Sequence, residues 1–124
     1  MVFQNNHWEA EGPSFYGQHL MYQRAYESTQ EHIDALAEKM VAQFGAESVN
    51  LFNSCNVIHA TMGLLAEFPN PEQRALKTIA VVKGAIAKIL ECGGNEVSLG
   101  LENALQTIFD EQETTEYLIQ QVAK

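Results

Sequence analysis

Four side chains able to ligate a cation recur along one stretch of the chain: His19, Gln23, Asp34 and Glu38. Imidazole nitrogen and carboxylate oxygen are the donors that first-row divalent metals take, and an amide oxygen is a weaker one. His19 and Gln23 are four residues apart, as are Asp34 and Glu38, so on a helix each pair projects from one face. His19 and Asp34 lie about 22 Å apart along such a helix at about 1.5 Å per residue. Metal–ligand bonds are about 2 Å long, so one helix cannot bring all four to one ion. Antiparallel pairing with a second copy can. If the helices cross between Ser28 and Thr29, His19 meets Glu38 of the other copy, and Gln23 meets Asp34. One register satisfies both pairs, and a two-fold axis makes each contact twice. Ala25, Ser28 and Thr29 at the crossing are small enough for close approach. The competing reading uses the same band only for polar bonds across a dimer interface.

The element that must carry these residues is a helix over 14–44. Phe15, Tyr22, Tyr26, Ile33, Ala37, Met40 and Phe44 recur at spacings of three, four and seven, which gathers them within about one sixth of the circumference. Ser14 suits the N-cap and Gly45 the position after the last turn. The helix is about 46 Å long, a length that suits a bundle. His32 lies off the polar band and is not assigned to it.

The run His7-Trp8, Gly12-Pro13, Phe15, His19, Tyr26, Asp34 and Leu36-Ala37-Glu38 resembles the Dps miniferritins, the DNA-protection proteins of starved bacteria. The resemblance is densest over residues 6–40. It implies a ferroxidase centre between two-fold-related subunits, with iron ligands His7, His19 and Gln23 from one subunit and Asp34 and Glu38 from the other. It also implies iron storage with protection against oxidative stress, oxidation of Fe2+ by peroxide or dioxygen, and a dodecameric shell. Trp8 is expected to pack on the bundle near the site, with its indole as an electron relay. Two departures are visible. Gln23 stands where the family has Asp, which weakens the expected ferroxidase. Residues 1–8 supply about two helical turns where the family has several.

The remaining elements are helical too. In 46–68, Leu51, Cys55, Ile58, Met62 and Leu65 predict one or two short connecting helices. His59 lies there without an acidic partner at ligand spacing and reads as structural. Asn70-Pro71-Glu72-Gln73 is a helix start, with Asn70 as cap, Pro71 in the first turn and Gln73 completing a capping box. Leu76, Ile79, Val82, Ile86 and Ile89 give its buried stripe, ended by Cys92-Gly93-Gly94. A last helix begins near 95–99 and buries Leu101, Leu105, Ile108, Gln112, Thr115, Ile119 and Val122. Asp110, Glu111, Glu113 and Glu116 read as its solvated face. The expected fold is an all-α, ferritin-like four-helix bundle in one domain over 1–124, with a shortened first helix and a short helical connection between the second and third. None of the histidines has Glu three residues before it, which disfavours the intrachain di-iron motif of ordinary bundles.

Composition bounds the function. The chain has 124 residues, 46% of them hydrophobic, and 16 acidic against 7 basic side chains give a formal net charge of −9. A phosphate backbone calls for a basic patch, so direct DNA binding is disfavoured, while cations are attracted. No apolar run approaches the roughly 20 residues that span a bilayer, and no signal peptide is seen. Cys55 and Cys92 stand at no metal or redox spacing and read as free, buried thiols of a cytoplasmic protein.

Overall fold

The computed structural model describes residues 1–124, except for the side chain of Leu51. It is 86% helical. Five α-helices follow in order: α1 (Val2–Glu9), α2 (Phe15–Phe44), α3 (Leu51–Leu65), α4 (Pro71–Cys92) and α5 (Leu99–Ala123). Short 3-10 turns at Ala46–Val49 and Gly94–Glu96 lead into α3 and α5. Helices α1 and α5 each pack on both α2 and α4, so these four form the corners of a bundle. The all-helical expectation holds, with a short first helix and a helical connection before α4.

Local chemistry explains most of the boundaries. Asn70 accepts from the N–H groups of Glu72 and Gln73 at 2.8 and 3.2 Å, and Pro71 opens α4 where no N–H is needed. Ser98 caps α5 through the Leu101 N–H, and Asn50 caps α3 through that of Asn53. Gly45 ends α2 at φ +88°, and Gly12 turns the chain between α1 and α2 at φ +83°; a side chain in this left-handed region would be strained. Ser14 precedes α2, but its side chain makes no capping bond. The first N–H of α2 is served instead by the backbone turn, Phe15 donating to the Gly12 carbonyl.

Two apolar clusters hold the bundle. At one end Phe3, Tyr22, Ala25, Ala75, Ile79 and Ile119 are buried together. Further along, Ile86, Leu101 and Leu105 are buried, with Leu36, Met40 and Val82 against them. The predicted α5 stripe is largely buried, and in α4 Ile79 and Ile86 are buried while Ile89 is exposed. The α2 stripe divides. Tyr22 is buried, but Phe15 at the first turn of α2 is exposed, as are Ile33 and Phe44; the last two lie in the second half, which α1 does not reach and which has no neighbour in that corner.

Two expectations are corrected. Trp8 does not pack on the bundle: it is 72% exposed, since the last turn of α1 directs it outward. Cys55 and Cys92 are exposed, because α3 lies on the outside and Cys92 closes α4 at its end. The stripe of α3 is open as well: of Cys55, Ile58, Met62 and Leu65, only Leu65 is buried. Leu51, the first position of that stripe, has its side chain outside the described set.

Ile79 is fully enclosed between α4, α5 and α1. Replacing it with Ala removes buried methylenes and leaves a cavity, so Ile79→Ala should cost about 2–5 kcal/mol. Urea unfolding with an unchanged slope checks this; a loss under about 1 kcal/mol would mean that the site collapses or is not core.

Candidate functional site

The short α1 runs antiparallel to the start of α2, placing Phe3 beside Tyr22 and His7 beside His19. Three contacts fix its position. Asn6, almost wholly buried, donates its amide to the Pro71 carbonyl at 2.8 Å. Glu9 pairs with Arg74 at 2.7 Å. The third contact is between the histidines themselves.

His7 Nδ1 lies 2.8 Å from the carbonyl oxygen of His19, and His19 Nδ1 lies 3.0 Å from that of His7. A carbonyl oxygen only accepts, so both Nδ1 atoms carry the proton and donate. The His7 carbonyl is among the last in α1, where no following N–H reaches it. The His19 ring therefore satisfies a helix end that would otherwise lack a partner. The two rings stack with centroids 3.6 Å apart. Phe15 stacks on His19 at 5.0 Å, and Tyr26 meets His7 edge-on at 5.4 Å.

The chemical result is a pair of imidazoles in one tautomer. With Nδ1–H engaged by backbone, each Nε2 keeps its lone pair. This is the outer arrangement that orients histidines in metal sites, where the distal N–H is held by a carbonyl or carboxylate. His7 is buried and His19 half-buried. The packed aromatic walls restrict ring rotation.

The other three residues of the band stand apart from this pair. Gln23 is half-buried and donates its amide to Glu27 Oε1 at 3.0 Å, which leaves its own oxygen able to accept or ligate. Asp34 and Glu38 are exposed. Among the described residues the ion pairs are Glu9–Arg74 and Lys83–Glu116, so neither Asp34 nor Glu38 is neutralised by a cation of its own chain. Also among the described residues, no three His, Cys, Asp or Glu side chains come together within one chain. The geometry unites His7 with His19 and leaves Gln23, Asp34 and Glu38 farther along the same helix.

The structure adds a role to each of two residues. Phe15 of the apolar stripe also forms a wall of the histidine pair, and Glu27 of the polar band accepts a hydrogen bond from Gln23. Both follow from four-residue spacing on α2, Phe15 with His19 and Gln23 with Glu27. Beneath the pair, burial pushes the Tyr22 phenol above its ordinary pKa, with Asn6 drawing it partly back. The Tyr22 hydroxyl and Asn6 Oδ1 are enclosed, and neither completes a hydrogen bond among the described residues.

Compared with protein-family models, curated proteins and solved structures, the chain finds no match. No helix is long and apolar enough to cross a membrane among the described residues.

The tautomer assignment is testable directly. Long-range nitrogen–proton correlation spectra should show two of the four histidines in the Nδ1–H form at neutral pH, and His19→Ala should remove one signal and shift the other. Both rings in the commoner Nε2–H form would contradict the reciprocal bonds.

Proposed function

We propose that the chain is a Dps-like miniferritin that binds Fe2+ at sites shared by two copies and oxidises it, serving iron storage and protection from oxidants. The observation carrying this reading is the His7–His19 pair. Both rings present a free Nε2, and both are oriented by backbone in the manner of metal-binding imidazoles. The donor set also fits a cation in charge. Asp34 and Glu38 are carboxylates without a partner cation in their own chain, on a protein of net charge −9.

In this reading two α2 helices run antiparallel, level at Ser28 and Thr29; Ala25 is buried in the core and Thr29 lines a groove between α2 and α4, so these small residues face into the bundle and the band itself makes the contact. His7, His19 and Gln23 of one copy then face Asp34 and Glu38 of the other. Fe2+ is the substrate. The imidazoles of His7 and His19 supply nitrogen and the carboxylates of Asp34 and Glu38 supply the anionic oxygen that favours Fe3+. Two Fe2+ give one electron each to a hydrogen peroxide, which takes up two protons and leaves as two waters. Gln23 contributes a neutral oxygen where a carboxylate would bind more strongly, so turnover is expected to be slower than with Asp. The ferritin-like bundle, closed assembly into a shell and a cytoplasmic setting belong to the same proposal.

A second reading keeps the dimer and drops the chemistry: the band serves as a polar interface. Its supporting observation is the engagement of Gln23 with Glu27 rather than with a neighbouring histidine.

Anaerobic Fe2+ titration followed by peroxide separates the two. The first reading predicts saturable binding and rapid oxidation, lost in Glu38→Ala with helicity unchanged and in His19→Ala with no more helicity lost than the eight residues of α1 account for. It also predicts that Gln23→Asp raises the oxidation rate several-fold or more. A folded protein that binds no Fe2+, with or without Gln23→Asp, would favour the interface reading.

A further inference from the structure

Two apolar surfaces of this chain are open. The first is a groove at the bundle corner that α1 fills only in part. Beyond Met1 it runs between α2 and α4 over a floor of α5, encloses about 420 Å3, and is lined by Ile33, Leu36, Val82, Ala85, Ile86 and Ile89 among others. The stretch of α4 from Val82 to Cys92, about 16 Å long, continues past the start of α1. Gln112 lines the same groove. It is only 6% exposed, and its Oε1 has no hydrogen-bond partner among the described residues. The bonds of Thr29 and Thr78, also in the lining, go to carbonyls of their own helices. A buried acceptor left alone costs about 1–3 kcal/mol.

The second surface is α3. Its sequence, LFNSCNVIHATMGLL, contains no Asp, Glu, Lys or Arg. Yet it packs only lightly on the rest of the chain, with Phe52 80% and Leu64 67% exposed. A helix so poor in charge is normally covered. At about 100° per residue, Phe52, Cys55, Ile58 and His59 fall on one face. That face is apolar with one hydrogen-bond donor, the His59 ring N–H, and Gln112 Oε1 is the acceptor without one. Fifteen residues of helix span about 22 Å, enough to cover the open part of the groove.

The exposed area agrees. The chain exposes 8304 Å2, whereas a compact monomer of 13.8 kDa exposes about 6600 Å2. The excess, about 1700 Å2 for one chain, is about twice the roughly 800 Å2 that one partner of a standard interface buries, so it can accommodate two patches on each chain, the groove and α3.

We propose that α3 of a second copy occupies this groove, with Phe52, Cys55 and Ile58 against the α2–α4 walls and His59 donating to Gln112. A two-fold pair fills both grooves. The groove, centred on Thr29, Leu36 and His32, lies on a different face of α2 from the band of Gln23, Asp34 and Glu38, so this contact stands independently of metal binding.

Disulfide trapping tests it. In a Cys92→Ser background, Ala85→Cys places a thiol in the groove for Cys55 of α3 to reach. Mild oxidation should convert most of the protein to a covalent dimer on a non-reducing gel, and peptide mapping should join Cys55 to the thiol introduced at 85. The dimer should vanish with Cys55→Ser and fall at least several-fold with Phe52→Glu/Ile58→Glu, whose helicity is checked by circular dichroism. A link within one chain, running at monomer mass, would overturn the proposal. So would the absence of that link, or a dimer joined only through Cys55 to Cys55.

Discussion

A carbonyl at the end of a helix needs a donor, and in this chain a histidine of the next helix meets that need. His19 gives its Nδ1–H to the end of α1, and His7 gives its own to α2. The pair joins a helix of eight residues, too short to be stable alone, to the longest helix of the bundle. Asn6 and Glu9 add the bonds to α4. Everything at that end follows from this attachment: Phe3 over Tyr22, the burial of Ile79, and two imidazoles with their Nε2 lone pairs left free. Structure and candidate chemistry share the same side chains. Removing either histidine is therefore expected to loosen α1 as well as alter any bound cation.

The architecture could be read from the sequence where local rules decide it. Asn70-Pro71 opened α4 as expected, Gly45 closed α2, and the α5 stripe was buried down to Gln112 and Thr115. Reading failed where the outcome depended on what lies opposite. Phe15, Ile33 and Phe44 follow helical periodicity as faithfully as Tyr22, yet are exposed, because periodicity locates a face and does not supply its neighbour. Trp8 and Cys55 failed for the same reason. At the site, spacing along α2 identified His19, Gln23, Asp34 and Glu38 as one band. That His7 would stack on His19 did not follow from spacing within α2, because it depends on the turn at Gly12 that brings α1 back along α2.

The exposed apolar residues and the orphaned Gln112 oxygen are costly in an isolated chain, and a second copy seated on the groove would relieve both. Asp34 and Glu38 are hydrated, and with no cation of their own chain they are open to one from outside. The polar band and the groove use separate faces of α2, so one chain can make both contacts. Association through the band would bring carboxylates to the imidazoles; association through the groove would cover α3. The acidic surface elsewhere, including Asp110, Glu111 and Glu113, keeps such an assembly charged and soluble.

In the proposed dimer a cation is held between copies, by histidines of one and carboxylates of the other. Mixing two inactive variants, His19→Ala and Glu38→Ala, tests it most directly. In a mixed pair one site loses both residues, and the other regains an intact His19 facing an intact Glu38. After subunit exchange, Fe2+ binding and oxidation should return in the mixture, to about one site per mixed pair, while either variant alone remains inactive. If the mixture stays as inactive as its components although mass spectrometry shows the mixed pair has formed, the ligands do not come from two copies and the account is wrong.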